Sequence, residues 1–204
     1  MLINKFTTIF ITYDKEKVYN MNIIQNIDNS ILQFIQINMR SSIIDKVMIL
    51  ITSLGNGAII WMLIGIIFLI NKKYRRYGLM IIFALMLCFI VGNLSLKPLV
   101  ARIRPFDAVP LLDGLLIKAP IDFSFPSGHT MCSFASAVVM FYMNKRIGIF
   151  ALILSFLIGF SRLYLYVHYP SDVFLGMVIG ILMGSVSIII FNKIEKGNVE
   201  MLKK

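Results

Sequence analysis

Long uncharged stretches separated by short polar gaps constrain this chain more than any other feature. Residues 78–96, GLMIIFALMLCFIVGNLSL, and 173–191, VFLGMVIGILMGSVSIIIF, are each 19 residues without a charge. As helix each measures about 28 Å, close to the ~30 Å hydrocarbon core of a bilayer. Residues 47–70 form a third long run, interrupted in its middle by Gly55, Asn56 and Gly57. It reads as one tilted span, or as an interfacial piece leading into a span, and an Asn56 placed in the bilayer needs a protein partner. Two shorter runs, 128–143 and 147–161, are joined by Asn144-Lys145-Arg146 and predict an antiparallel helix hairpin. Gly128, Ser133, Ala135, Ser136 and Ala137 are small enough for close helix packing in lipid.

The expected fold is therefore an all-α integral membrane helical bundle of about five spans. Composition agrees: 58% of residues are apolar and 15% charged, against roughly 45–50% and about 25% in soluble domains. Disorder, a disulfide scaffold and a nucleic-acid binder all fit poorly. Cys88 and Cys132 lie in apolar runs, without metal-site spacing, and read as small buried hydrophobes. The organisation reads as residues 1–46, an N-terminal amphipathic or interfacial segment; 47–191, a membrane-embedded core; and 192–204, a basic tail. In the first segment Ile23, Ile27, Ile31 and Phe34 recur at helical spacing. Met1–Tyr13 has neither the basic start nor the small-residue cleavage site of a signal peptide.

The net charge of +10 comes from 20 Lys and Arg against 10 Asp and Glu. Much of the basic excess falls in gaps between apolar runs: Lys72, Lys73, Arg75 and Arg76; Lys145 and Arg146; Lys193, Lys196, Lys203 and Lys204. Five alternating spans put these groups on one side, the cytoplasmic side by the positive-inside rule. Lys5, Lys15, Lys17, Arg40 and Lys46 run against that rule. Asp14, Glu16, Asp28 and Asp45 offset their charge without answering it, because the rule counts basic residues.

Three polar constellations interrupt the apolar pattern: Lys97 to Arg104-Pro105 with Arg102 between, Pro126-Ser127-Gly128-His129, and Ser161-Arg162 with His168 and Asp172. Alternation sends all three to the opposite membrane edge. Any single arginine there can be snorkelling to head groups; the combined set, with both histidines of the chain and an aspartate, points to chemistry. His168 and Asp172 share a face if that stretch is helical, so the carboxylate can hold one imidazole nitrogen and leave the other as nucleophile or base. A structural pair is the alternative. Pro170 either distorts that turn or sits at the first position of a helix beginning there. Ser127 is a candidate N-cap, Gly128 allows close approach of an anion, and His129 opens the helix as a candidate acid or as a packing residue. Lys97, Arg104 and Arg162 supply fixed positive charge suited to phosphate. No metal-ligand set is present in the sequence, so neither metal nor other cofactor is expected.

The order and spacing of these motifs resemble the type 2 phosphatidic acid phosphatase superfamily, in which Lys, six residues and Arg-Pro precede Pro-Ser-Gly-His and then Ser-Arg, five residues, His, three residues, Asp. The resemblance implies that His168 is the nucleophile, Asp172 orients it, and His129 protonates the leaving oxygen. It implies that Lys97, Arg104, Arg162, Ser127 and the Gly128 amide hold phosphate. It also implies a covalent phosphohistidine intermediate. Arg102 is outside the signature and reads as an accessory diphosphate or head-group contact, or as merely interfacial. The partners implied are the bilayer and a phosphorylated membrane lipid. Undecaprenyl diphosphate is the first expectation and phosphatidylglycerophosphate or phosphatidic acid the second, in a multi-pass protein of a bacterial cell membrane with its site facing outward. A non-catalytic lipid binder or transporter is the competing class. The apolar 106–125 segment reads as a membrane-hugging flap that admits substrate, with Asp107, Asp113 and Asp122 as ordinary loop residues.

Overall fold

The computed structural model describes residues 23–111 and 114–201, with side chains through residue 197. Lys5, Asp14, Lys15, Glu16, Lys17, Asp113, Lys203 and Lys204 lie outside the described residues. The regular secondary structure is all helical, and the described residues contain no strand. Helix α1 covers residues 23–38. It is followed by α2 (Ser42–Gly55), α3 (Ile59–Ile70), α4 (Arg75–Cys88), α5 (Lys97–Val100), α6 (Pro105–Ala108), α7 (Gly128–Met143), α8 (Lys145–Tyr164) and α9 (Pro170–Met201).

Four continuous stretches are long and apolar enough to cross a membrane: Ser42–Ile70, Arg75–Ala108, Lys145–Tyr164 and Pro170–Gly197. The fifth expected span, α7, has only 16 residues. It packs against α4, α8 and α9 at the centre of the bundle. Short length suits a helix with this much protein contact. Large apolar side chains such as Ile67, Leu94, Phe150, Phe156 and Leu182 face outward, while Ser133, Ser136, Ser155 and Ser187 are buried. This inside-out polarity matches a lipid solvent. The expected hairpin is present, with α7 and α8 meeting at Asn144, whose side chain accepts the Arg146 and Ile147 amides at 2.9 and 3.2 Å.

The expected segment boundaries do not fall at breaks in structure. Residue 46 lies within α2, and α9 runs through residue 191 as one helix. The 47–70 run is two helices separated by a tight turn at Asn56–Ala58, where Gly57 and Ala58 have φ of 56°. The 78–96 run is a regular α-helix only to Cys88; Phe89–Leu96 winds as a π-helix. Pro98 has no N–H for the carbonyl of Leu94. The wider winding leads into it and closes with the Lys97 N–H on Gly92 O.

Helix α1 docks through Asp28, Leu32 and Ile35, all buried. Ile23, Ile27, Ile31 and Phe34 point away from the bundle. At one end Arg76 pairs with Glu195 at 2.6 Å, and the Tyr142 hydroxyl donates to Asn192 at 3.2 Å. The α3–α4 gap, the α7–α8 gap and the 192–196 stretch thus share one end, and the three motifs occupy the other.

Candidate active site

Each motif reaches the site through a local feature that its sequence forces. Lys97 sits at the first position of α5, just after the π-helical stretch; Ala101 then takes a left-handed conformation (φ 47°) that stops the helix. The chain runs on extended through Arg104, which precedes Pro105 at the start of α6. Gly128 and His129 open α7. Tyr166, at φ 60°, ends the turn after α8 and brings Val167 and His168 back toward the bundle. Lys97, Arg104, Gly128, His129, Arg162 and His168 all line one cavity of about 950 Å³. Three motifs spread over the sequence therefore converge as alternation predicted.

His168 and Asp172 do not share a helical face, because α9 begins only at Pro170. Pro170 takes the first helical position, where a missing N–H costs nothing. Asp172 reaches back to accept the Tyr169 amide at 3.0 Å, the geometry of an acidic residue in a capping box. This places its Oδ2 3.7 Å from His168 Nδ1, facing the ring but beyond hydrogen-bond distance. On the other side of the ring, Arg104 Nη1 lies 3.3 Å from His168 Nε2 and donates to Val167 O at 2.6 Å. Arginine only donates. Nε2 must therefore carry the lone pair, and the ring proton of neutral His168 belongs on Nδ1, facing Asp172. Burial, reinforced by the Arg104 and Arg162 guanidiniums and opposed by Asp172, pulls the His168 imidazole down to about 3. The ring is neutral at ordinary pH.

Arg162 is almost wholly buried. Its Nη1 donates to Thr52 Oγ1 at 2.6 Å, its Nε has no partner, and no carboxylate among the described residues pairs with it. A buried guanidinium in this condition is costly unless an anion completes it. His129 Nε2 lies 2.9 Å from Asn56 Oδ1. Asn56 thus has the protein partner that its place in an apolar run demanded.

Several expectations need correction. Ser127 stands at the N-cap position, but its hydroxyl meets Thr130 Oγ1 at 2.9 Å, makes no backbone cap and is absent from the cavity wall. Arg102 also stays off the cavity wall. Its nitrogens are taken by Asp172, Ser171, Asp28 and Gln25, and it lies over the Tyr169 ring at 3.9 Å. A head-group contact finds no support in that geometry. Asp122 is no ordinary loop residue. It pairs with both Lys97 and Arg104, the latter at 2.5 Å. Although burial acts the other way, these cations hold its carboxyl at about 2. Among the described residues of 106–125, helix is confined to the end of α6 (Pro105–Ala108), and Ile117, Lys118, Pro120 and Asp122 form cavity wall. Thr52 and Asp28 were invisible to local pattern. Among the described residues no group of His, Cys, Asp and Glu forms a metal-binding cluster.

The PAP2 superfamily profile matches residues 73–196. The chain belongs to the PAP2 superfamily. It is 30% identical over 159 residues to an undecaprenyl-diphosphatase of Sulfolobus acidocaldarius, covering 76% of this chain and 75% of that one. Its fold is similar to the crystal structure of Aquifex aeolicus LpxE, with a TM-score of 0.68 and 33% identity over 79% of this chain and 94% of that chain. It is also similar to a transmembrane PAP2-type phosphatidylglycerolphosphate phosphatase from Bacillus subtilis, with a TM-score of 0.71 and 26% identity over 85% and 88% of the two chains. As a PAP2 protein the chain is a multi-pass membrane hydrolase, a lipid phosphatase.

Proposed function

We propose that this PAP2 enzyme removes the terminal phosphate of undecaprenyl diphosphate through a phosphohistidine on His168. The observation that carries the reading is the buried, carboxylate-free Arg162 on the cavity that a neutral His168 also lines, with the His168 Nε2 lone pair held by Arg104 Nη1 at 3.3 Å until a phosphate oxygen takes that donor. In the first step Nε2 forms a bond to phosphorus as the bond to the leaving phosphate oxygen breaks. His129, which must enter this step as an imidazolium made acceptable by the anionic head group, gives that oxygen a proton and becomes neutral. In the second step water attacks phosphorus, His129 takes its proton, the P–N bond breaks and inorganic phosphate leaves. Lys97, Arg104, Arg162 and the Gly128 amide hold the equatorial oxygens and their developing charge.

Apolar residues extend the cavity away from this polar end: Met62 and Ile66 on α3, Ile82 and Met86 on α4. From Ile82 to Lys97 is about 20 Å of helix, room for part of an isoprenyl or acyl chain beside its head group. The undecaprenyl substrate is supported by the Sulfolobus relative's name. The fold similarity to the Bacillus phosphatase favours phosphatidylglycerophosphate as the second reading. The shared basic end reads as cytoplasmic by the positive-inside rule, which supports a site on the outer face, and the membrane is read as a bacterial cell membrane.

Purified protein is expected to release phosphate with chelator present, fastest from undecaprenyl diphosphate in a side-by-side assay with phosphatidylglycerophosphate and phosphatidic acid. Faster turnover of either competitor overturns the substrate assignment. His168→Asn is expected to lose about 10³-fold or more in kcat, as nucleophile removal does. Wild-type turnover in that variant overturns the mechanism, and lipid binding without turnover by the intact protein favours a binder.

A further inference from the structure

Asp172 carries a second set of contacts that lead away from His168. Its Oδ1 meets Arg102 Nη1 at 2.5 Å, and its Oδ2 accepts the Ser124 hydroxyl at 2.5 Å. Arg102 turns its other terminal nitrogen to Asp28 Oδ2 at 2.7 Å. Ser171 closes the ring. It accepts from Arg102 Nη1 at 2.7 Å and donates its amide to Asp28 Oδ1 at 2.9 Å and its hydroxyl to Asp28 Oδ2 at 2.5 Å. Asp28 and Asp172 are both essentially buried. Three charges are thus held in one row, carboxylate, guanidinium, carboxylate, with His168 at its end.

We infer that Asp28 on α1 is a positioning residue for the reaction, acting through Arg102 and Ser171 to hold Asp172 in place and leave its negative charge available to His168. Asp28 lies outside residues 73–196, which carry the family match. The inference rests on the proposed roles of His168 and Asp172. Its physical basis is charge balance. A lone Arg102 against Asp172 would neutralise the carboxylate, weakening its support of the positive charge that His168 gains as Nε2 bonds to phosphorus. Asp28 supplies the counter-charge for Arg102, so the row keeps a net negative charge facing the ring. Asp28 also fixes the guanidinium laterally, and the planar fork reaches both carboxylates at once. Without it Arg102 is free to swing and carry Asp172 away from a ring that it already meets only at 3.7 Å.

The test is steady-state kinetics on full-length protein in detergent micelles, with the folded fraction measured in parallel. Asp28→Asn keeps the shape and removes the charge. Its kcat is expected to fall about 10-fold with KM nearly unchanged, the scale of one charge-assisted hydrogen bond. Arg102→Gln leaves two buried carboxylates facing one another and is expected to fall further. The double variant Asp28→Asn/Arg102→Gln removes both opposing charges and is expected to exceed Arg102→Gln alone in kcat, a non-additivity typical of coupled charges. Should Asp28→Asn fail to fold, Ser171→Ala, which cuts one link of the ring, is expected to lower kcat about 3-fold at constant KM. Wild-type kcat per folded molecule in these variants, losses that track only the folded fraction, or strictly additive effects would overturn the inference. Asp172→Asn in the same assay separates the two layers. If it is fully active, the reading of Asp172 itself fails; if it is crippled while Asp28→Asn is not, only the role of Asp28 fails.

Discussion

Asn56 Oδ1 stands 2.9 Å from His129 Nε2, joining the break between α2 and α3 to the first turn of α7. The Asn56–Ala58 turn that splits the first long apolar run also presents a polar side chain to the candidate general acid. Gly55 makes room for that contact, since a Cβ there would come within 2.7 Å of the His129 ring. Replacing Asn56 by Ala is expected to lower kcat about 2–10-fold with little change in stability, the net value of one hydrogen bond. Replacing Gly55 by Ala is expected to cost more, because it displaces the ring rather than freeing it. Steady-state kinetics beside thermal unfolding checks both; equal kcat in wild type and Asn56→Ala would remove Asn56 from the site.

Arg162 predicts a split between stability and activity. Its charge is buried beside Thr52 with no carboxylate partner, and such a charge weakens the fold until an anion binds. Arg162→Met is expected to lose about 10²-fold or more in kcat/KM, the scale of a lost charge-assisted anion contact. It is also expected to unfold at the same or a higher temperature than wild type. A marked drop in unfolding temperature would show that Arg162 serves structure first.

The neutral state of His168 fixes a sign for pH. Its folded value of about 3 lies below the ordinary ~6.5 of histidine. The fold therefore favours the uncharged ring. Its contribution to stability is complete above about pH 6.5 and is lost as pH falls toward 3. Between about pH 5 and 8 the nucleophile should not titrate. Nitrogen NMR of labelled His168 is expected to show an uncharged imidazole throughout that range. A midpoint near 6 would contradict it, and any acid limb of activity there belongs to substrate phosphate or another group.

Gly176, Gly180 and Gly184 form a stripe on α9 against which α7 lies; added Cβ atoms would collide with Ser127 O, Met131 O and Ala135 O respectively. Small residues at this spacing let helix backbones approach closely in lipid. Gly180→Val is expected to destabilise the protein by about 1–3 kcal/mol, as overpacking does, and to lower activity by shifting α7. Unfolding measurements in detergent, with kcat per folded molecule, check this; a neutral substitution would mean that the two helices are not in close contact.

The amino-acid sequence alone determined the all-helical membrane fold, the α7–α8 hairpin and the shared end of Lys97, Arg104, His129, Arg162, His168 and Asp172. Each follows from local hydrophobic length, from loop chemistry at Asn144 or from alternation of spans. It marked the interruption at Gly55–Gly57 but left one tilted span and two pieces as alternatives, and it did not show the π-winding that leads into Pro98. Nor did it reveal what the individual polar groups face. Asp28 meets Ser171 across 143 residues of chain and Thr52 meets Arg162 across 110, separations at which residue spacing carries no signal. Asp122 looked like a loop residue and Arg102 like an interfacial one until tertiary contacts gave each two charged partners. The reason is physical. Membrane insertion is decided by short-range hydrophobicity, which a linear chain displays openly. Pairing of buried charges is decided by which helices become neighbours, which only the packed bundle settles.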